Sequence, residues 1–293
     1  MEINGKTKVM GLIGNPVEHT LSPVIHNTIA KQMGENMAYL PFLVKEDVKA
    51  AVKGAYALGL QGMNVTVPYK SDVITHLISL DEQAAIIGAV NTLVRTEGGF
   101  RGYNTDLPGL YRAIKSEGID VEGARVMILG AGGAARAAAF MCAFYHAKEV
   151  YILNRTMEKA VLVAKEVKEK TGFSNITALA LSDYEQIPGD GFLVLQATKV
   201  GLYPKAEETP ICESAFFKKA AVVYDLIYTP AETMFMRLAR EQNVKAYNGL
   251  KMLLYQGVAA YEMWNKTAVP DKIVQKAYEA LEKSLQNKVE IRG

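Results

Sequence analysis

The sequence predicts an α/β chain of two domains, and three observations carry that expectation. The 293 residues exceed one typical domain, and 49% apolar with 22% charged residues can fill two buried cores. Apolar strand-like runs alternate with helical stretches in two separate series, the pattern of mostly parallel sheets covered by helices. The second series opens with a glycine-rich turn set between a strand and a helix, as in Rossmann-type domains.

In the first series, VMGLIG after Lys8 is a buried strand. The loop NPVEHTL then leads to Ser22-Pro23, which predicts a helix with serine as N-cap and proline at its first position. Tyr39 to Val44 follows as a strand, Glu46 to Leu58 as a helix, and GMNVTV as a strand halted by Pro68. Ala89 to Arg95 and Phe100 to Tyr103 flank Gly98-Gly99, which predicts a hairpin at the edge of the first sheet. In the second series RVMILG is a strand, Gly133 to Tyr145 a helix of small residues, EVYILN a strand and Thr156 to Lys170 a helix. FLVLQAT and AAVVYDLIY continue that sheet, and Ala231 to Gln242 covers it. A helix from Leu250 to Asn265 and an amphipathic one past Pro270 to Gln286 have no strand between them, so they cannot extend the second sheet. They are placed back against the first domain. The expected domains are therefore 1–106 with 243–293, and 107–242, with a helix over 107–120 as connector.

Composition excludes several function classes. The 33 basic and 31 acidic residues are interspersed, and a net charge of +2 predicts no nucleic-acid partner. The short apolar run near the N-terminus ends at a glycine, too short for a signal peptide or a membrane span, so a cytoplasmic protein is expected. Cys142 and Cys212 lie far apart and predict neither a disulfide framework nor a zinc cluster, only buried or half-buried thiols. His19, His26, His76 and His146 are scattered without metal-ligand spacing, so no metal is expected. The partner is a small molecule, and the chain is expected to be a monomer or a homodimer.

In VMILGAGGAARAA, Gly130, Gly132 and Ala135 occupy the three positions of GxGxxG/A directly after an apolar strand. The first glycine permits a tight turn, the second lets backbone approach a pyrophosphate, and the small third residue lets helix and strand pack closely. The helix N-terminus then faces the anion with free N–H groups. The loop Gly130, Ala131, Gly132, Gly133 and Ala134 is thus a dinucleotide site. The next strand ends 21 residues past Gly133 (154 minus 133), where an NAD-specific protein would place an acid for the ribose 2′-hydroxyl. Here the residues are Asn154, Arg155 and Thr156. A guanidinium can pair bidentately with a 2′-phosphate, and Lys159 adds a second charge, so the expected cofactor is NADP (NADPH).

Ligands in open α/β sheets bind beyond the carboxyl ends of strands. NVTVPYK gathers Asn64, Thr66 and Lys70 at such an end, and RGYNTDLPG brings Asn104, Thr105 and Asp106 just before a helix, whose dipole the aspartate also complements. A hydride added to a ketone leaves an alkoxide that needs a proton donor. For a lysine in that role, desolvation and a neighbouring carboxylate shift the proton equilibrium in opposite senses. The donor is Lys70 or a water that it relays.

TLSPVIHN, NVTVPYK, GAVNT, GYNTD, LGAGGAARA, NRT and YNGLKMLLYQG occur here in the order found in shikimate dehydrogenases, and the chain resembles that family over nearly its whole length. The resemblance implies an N-terminal α/β substrate domain, a central Rossmann domain with NADP, and C-terminal helices returning to the first domain. It implies reduction of 3-dehydroshikimate to shikimate in aromatic amino-acid (chorismate) biosynthesis, with Lys70 and Asp106 as the catalytic pair. It further implies that Thr20 and Ser22 hold the substrate carboxylate, and that Asn64, Thr66, Asn91 and Gln256 bind ring hydroxyls. Two departures stand out. Thr20 occupies a position usually held by serine, and Gln196 one usually held by asparagine, followed by Lys199 in a TKVG segment shared with relatives that also accept quinate. A quinate/shikimate dehydrogenase that also uses NAD is therefore the alternative. A non-catalytic ligand sensor on the same fold should lack Lys70 or Asp106, and a methylene-tetrahydrofolate dehydrogenase should lack TLSP and GYNTD.

Overall fold

Strand β1 (Lys8–Gly14) is the apolar run predicted after Lys8, buried from Met10 onward. The computed structural model of the chain describes residues 2–290, and side chains within 2–287. Helix α1 (Ser22–Met33) follows, with Leu21 rather than Ser22 at the N-cap position. The correction has a local cause: the hydroxyl of Thr20, not of Ser22, takes a free backbone N–H, that of Ser22 itself at 3.2 Å. Proline therefore stands second in the helix, and Gly34 closes it in the left-handed conformation.

Next come β2 (Met37–Leu43), α2 (Val48–Ala57), β3 (Gly62–Val65), β4 (Ser79–Leu80), α3 (Glu82–Ile87), β5 (Thr92–Thr96) and β6 (Gly99–Tyr103). Asp47 caps α2 by accepting from the Ala50 N–H at 2.8 Å. The sheet order is β2-β1-β3-β5-β6-β4. Strand β1 runs parallel to both neighbours, and the β5–β6 hairpin turns through Gly98, whose φ of 81° requires glycine. The hairpin lies next to the edge rather than on it, because the two-residue β4 pairs outside β6. One core packs Val48, Val52, Leu60, Met63, Val65, Val73, Leu93 and Phe100 between α2 and the sheet.

Helix α4 (Asp106–Ser116) leads to β7 (Arg125–Leu129), α5 (Gly133–Phe144), β8 (Glu149–Asn154), α6 (Met157–Thr171), β9 (Ile176–Ala180), β10 (Phe192–Gln196), α7 (Ser214–Lys218), β11 (Ala220–Asp225), α8 (Met234–Glu241) and β12 (Lys245–Tyr247). These strands form a fully parallel sheet in the order β12-β11-β10-β7-β8-β9. Counted within this sheet, that is the doubly wound order of a Rossmann domain, with its direction reversing between β7 and β10. Its core includes Met127, Leu129, Val194, Phe216, Phe217 and Phe235. Cys142 is buried, which pushes its thiol pKa up to about 12, whereas Cys212 is exposed, contrary to the expectation of a covered thiol.

Helices α9 (Leu250–Asn265) and α10 (Asp271–Glu290) close the chain. From Leu253 onward they join the first unit: Trp264 donates its indole N–H to the Leu93 carbonyl at 2.9 Å, and Lys276 reaches Gln32 at 2.7 Å. The two compact units are Met1–Gly109 with Leu253–Gly293, and Leu110–Met252. The sequence placed the second boundary at 242/243. Strand β12 moves it, because Val222 to Tyr224 of β11 pair with Lys245 to Tyr247. Among the described residues no helix is long and apolar enough to cross a membrane.

Candidate active site

In the first unit, β3 stops before Pro68 and delivers Lys70 to the carboxyl end of the sheet. The β5–β6 hairpin returns the chain to the same end at Asn104 and Thr105. The Asn104 side chain accepts from the Asp106 N–H at 3.0 Å and donates to the Ala89 carbonyl at 3.0 Å, so the start of α4 is held against the sheet. Asp106 is thereby a first-turn helix acid and also the partner of Lys70, whose Nζ lies 2.6 Å from Oδ2. The pair is only partly covered, with the lysine side chain 33% exposed and the aspartate 19%. Lys70 can therefore reach both a ligand and solvent.

Asn91 supports the other carboxylate oxygen, its Nδ2 donating to Asp106 Oδ1 at 2.9 Å. Its own Oδ1 accepts from the Thr105 N–H at 2.7 Å, the Thr105 hydroxyl at 3.1 Å and the Thr92 hydroxyl at 3.0 Å. That oxygen is saturated, which fixes the amide and leaves one Asn91 N–H uncommitted. Asn64, 4% exposed, donates to the Asn91 carbonyl at 3.1 Å and to Thr92 Oγ1 at 3.0 Å. Both of its amide hydrogens are committed, so Asn64 can only accept from a ligand. Thr66 lies one residue beyond β3 with its N–H on the Ile13 carbonyl at 2.9 Å.

Three predicted residues lie further along the same unit. Thr20 donates to Ser22 Oγ at 3.2 Å. In β2 the Tyr39 hydroxyl donates to Asn64 Oδ1 at 2.7 Å. The amide network beside Lys70 thus includes Tyr39, a residue that the sequence marks only as strand. The signal was available: a buried tyrosine hydroxyl needs a partner. Gln256 is half-buried rather than exposed, and α4 passes it so closely that a Cβ on Gly109 would lie 2.7 Å from its backbone nitrogen. Its Nε2 rests on the Leu253 carbonyl of its own helix at 2.8 Å.

In the second unit a cavity of about 570 Å³ opens at the carboxyl end of β7 and β10. Gly130, Asn154 and Arg155 line it, together with Thr198 and Val200 of the TKVG segment and with Glu208 and Thr209, which sequence reasoning passed over because the loop after that segment carries no fingerprint. Gly130 has φ 110°, and a Cβ there would lie 3.1 Å from Thr198 Cγ2, so the tight turn needs glycine. No side chain stands within 4 Å of a Cβ built at Gly132 or Gly133, and α5 begins with neither a side-chain cap nor an acid. An open, uncapped helix start of this kind fits a pyrophosphate. Ala131 and Ala134 complete that loop. Asn154 donates to the Thr156 carbonyl at 2.8 Å, turning the chain so that Arg155 projects as an exposed cation beside the cavity. Thr156 stands at the N-cap position of α6, and Lys159 is exposed in its first turn without lining the cavity. The geometry fits a phosphorylated dinucleotide.

Gln196, at the end of β10, braces the loop that follows. Its Oε1 accepts from the Thr198 N–H at 2.6 Å, and its Nε2 donates to the Val200 carbonyl at 3.2 Å and to Asp225 Oδ1 at 3.3 Å. No group of three or more His, Cys, Asp or Glu among the described residues could hold a metal.

Comparisons with known proteins meet this geometry in both units. The family model described as shikimate dehydrogenase substrate binding domain matches residues 12–93, and that described as shikimate / quinate 5-dehydrogenase matches residues 112–200. A shikimate dehydrogenase (NADP(+)) of Methanothermobacter thermautotrophicus is 42% identical over 279 residues, 94% of this chain and 97% of that protein. The crystal structure of a shikimate dehydrogenase in complex with NADP+ matches with a TM-score of 0.84 at 40% identity, over 94% of this chain and 96% of that one. Shikimate 5-dehydrogenase from Thermus thermophilus, in complex with NADP(H) and shikimate, matches with a TM-score of 0.82 at 31% identity, over 94% and 100% of the two chains.

Proposed function

The chain belongs to the shikimate dehydrogenase family, and from that premise we propose that it catalyses the reversible, NADP-dependent reduction of 3-dehydroshikimate to shikimate in aromatic amino-acid biosynthesis. The observation that carries the chemistry is the 2.6 Å pair of Lys70 and Asp106, with Asn91 holding the second carboxylate oxygen. When bound, NADPH supplies the hydride. Lys70 gives its proton to the oxygen that the hydride leaves negative, and Asp106 keeps the ammonium aimed at that oxygen. Partial exposure lets the lysine regain a proton from water.

Thr20 and Ser22 offer hydroxyls to the substrate carboxylate. Asn64, Thr66, Asn91 and Gln256 meet the ring hydroxyls, with Asn64 as acceptor and Asn91 as donor. The backbone from Gly130 to Ala134 receives the pyrophosphate, and Asn154, Arg155, Thr156 and Lys159 receive the 2′-phosphate end of NADP. The small molecules are the partners, and a cytoplasmic monomer or homodimer is the form in which we expect it to act. The TKVG segment at Thr198–Gly201 favours a second reading in which quinate is also accepted.

The test is a steady-state assay with shikimate and with quinate, each with NADP and with NAD. Shikimate with NADP should be the best pair, and failure of all four combinations to rise above background would overturn the proposal. Lys70→Ala should lower kcat by roughly 10² to 10⁴. A loss confined to KM would instead make the lysine a binding group.

A further inference from the structure

We propose that Tyr39 is a positioning residue that holds in place the acceptor oxygen Asn64 presents to the substrate ring. The inference rests on the proposed function and adds to it a residue that touches neither the cofactor loop nor the Lys70 pair.

Tyr39 is fully buried in β2 and held from several sides. Asn27 of α1 clips its backbone, accepting from the Tyr39 N–H at 2.8 Å and donating to the Tyr39 carbonyl at 3.0 Å. Its ring stacks on His26 with centroids 4.1 Å apart and planes 16° from parallel, and Trp264 lies tilted 6.0 Å away. Burial lowers the His26 pKa to about 3, so this neighbour is a neutral imidazole at ordinary pH. With backbone and ring both fixed, the phenol hydroxyl is held on Asn64 Oδ1.

The Asn91 carbonyl, which can only accept, sets the amide's orientation, and the tyrosine bond holds its oxygen in place. With Oδ1 taking the tyrosine proton, Nδ2 donates to the Asn91 carbonyl and to Thr92 Oγ1. Turned over, the amide would set its N–H against the phenol and its oxygen against the Asn91 carbonyl, two lone pairs facing each other in a buried site. Tyr39 therefore pins an oxygen that can only accept, so a substrate hydroxyl beside it must donate. The series carries polarity and not a proton, because an amide has no proton to pass on at neutral pH.

The experiment compares Tyr39→Phe, Asn64→Ala and the double variant in the full chain, measuring kcat and KM for shikimate with NADP, KM for NADP, and thermal unfolding. Tyr39→Phe should raise KM for shikimate by roughly 3- to 10-fold, the worth of about one neutral hydrogen bond. It should change kcat by less than about 2-fold and leave KM for NADP unchanged. In the Asn64→Ala background the same change should add almost nothing, because it acts through Asn64. Multiplying effects in the double variant, or an unaltered KM in the single one, would overturn the proposal and assign Tyr39 to packing alone. Should Tyr39→Phe fail to fold, Thr92→Val releases the other end of the amide, and the same KM-selective, Asn64-dependent loss is expected. Absence of wild-type activity with shikimate would strike the proposed function first and this inference with it. Normal wild-type activity with independent effects strikes only the inference.

Discussion

Asp225 offers the sharpest test of how the second unit holds its cavity. The residue ends β11 with no exposed surface, and its carboxylate accepts from the Thr233 hydroxyl at 2.7 Å, the Ile227 N–H at 3.0 Å and Gln196 Nε2 at 3.3 Å. Burial raises its pKa from 3.8 to about 6, outweighing those three bonds, which act in the opposite sense. A carboxyl whose pKa is higher folded than unfolded contributes stability that is full below the unfolded value and is lost as pH rises through the folded value. From the two pKa values, the loss between about pH 4.5 and about pH 7 is about 2 kcal/mol. Asp225→Asn keeps the size of the group and removes its titration. The difference in unfolding free energy between wild type and variant should therefore shift by about 2 kcal/mol across that window, in the direction that penalises wild type at higher pH. In thermal melts this is roughly 4–8 °C for a unit of this size. Taking the difference cancels groups common to both proteins, such as Glu166, whose pKa Arg136 lowers to about 2. Melting curves for the two proteins that stay parallel from acid to neutral pH would refute the reasoning.

Two further outcomes follow from single contacts. Arg155→Ala should raise KM for NADP by roughly 10- to 100-fold, the range of a hydrogen bond to a charged group, and alter KM for NAD by less than about 3-fold; steady-state kinetics with both dinucleotides checks it. Gly109→Ala would place a methyl 2.7 Å from the Gln256 nitrogen and 2.8 Å from its Cα, against backbone that cannot yield by a rotamer change. It should lower stability by about 1–3 kcal/mol in denaturant titration and depress turnover of shikimate, since α4 also carries Asp106.

Long elements with a clear period were legible in the sequence: β1, β7, α5, β8 and α9 fall within a residue or two of their expected limits. The missed elements are short or weakly patterned. Strand β4 has two residues and β12 three, too few to display any alternation, and β9 lies at a sheet edge where only Ile176 is buried. Without β12, the sequence leaves Lys245–Tyr247 outside the second domain although they pair with β11. In the site, Lys70 and Asp106 announced themselves by standing at strand and hairpin ends. Asn91 and Gln256 did not, because an amide in a turn and a glutamine on a helix look the same whether or not they meet a ligand. Tyr39 was hidden for the opposite reason: inside an apolar strand a tyrosine looks like core, and only its hydroxyl partner reveals the difference.

Under the proposed function, the direction of the hydrogen bonds also accounts for how the Thr20–Ser22 end would respond to a carboxylate without disturbing the ring end. Thr20 donates to Ser22 Oγ, so its hydroxyl hydrogen is engaged within the loop in this structure. Meeting a carboxylate requires that hydrogen to turn outward, which exchanges a neutral bond of about 1 kcal/mol for a charge-assisted one of about 1.5–3 kcal/mol. The exchange needs rotation only about the C–O bond, so the χ1 restriction that Thr20 carries relative to serine holds its oxygen in place and does not impede the turn. Tyr39 donates to Asn64 with its own hydrogen, so that bond survives the switch. The carboxylate end is therefore free to reorganise, while the amides of Asn64 and Asn91 keep the polarity that the ring must match.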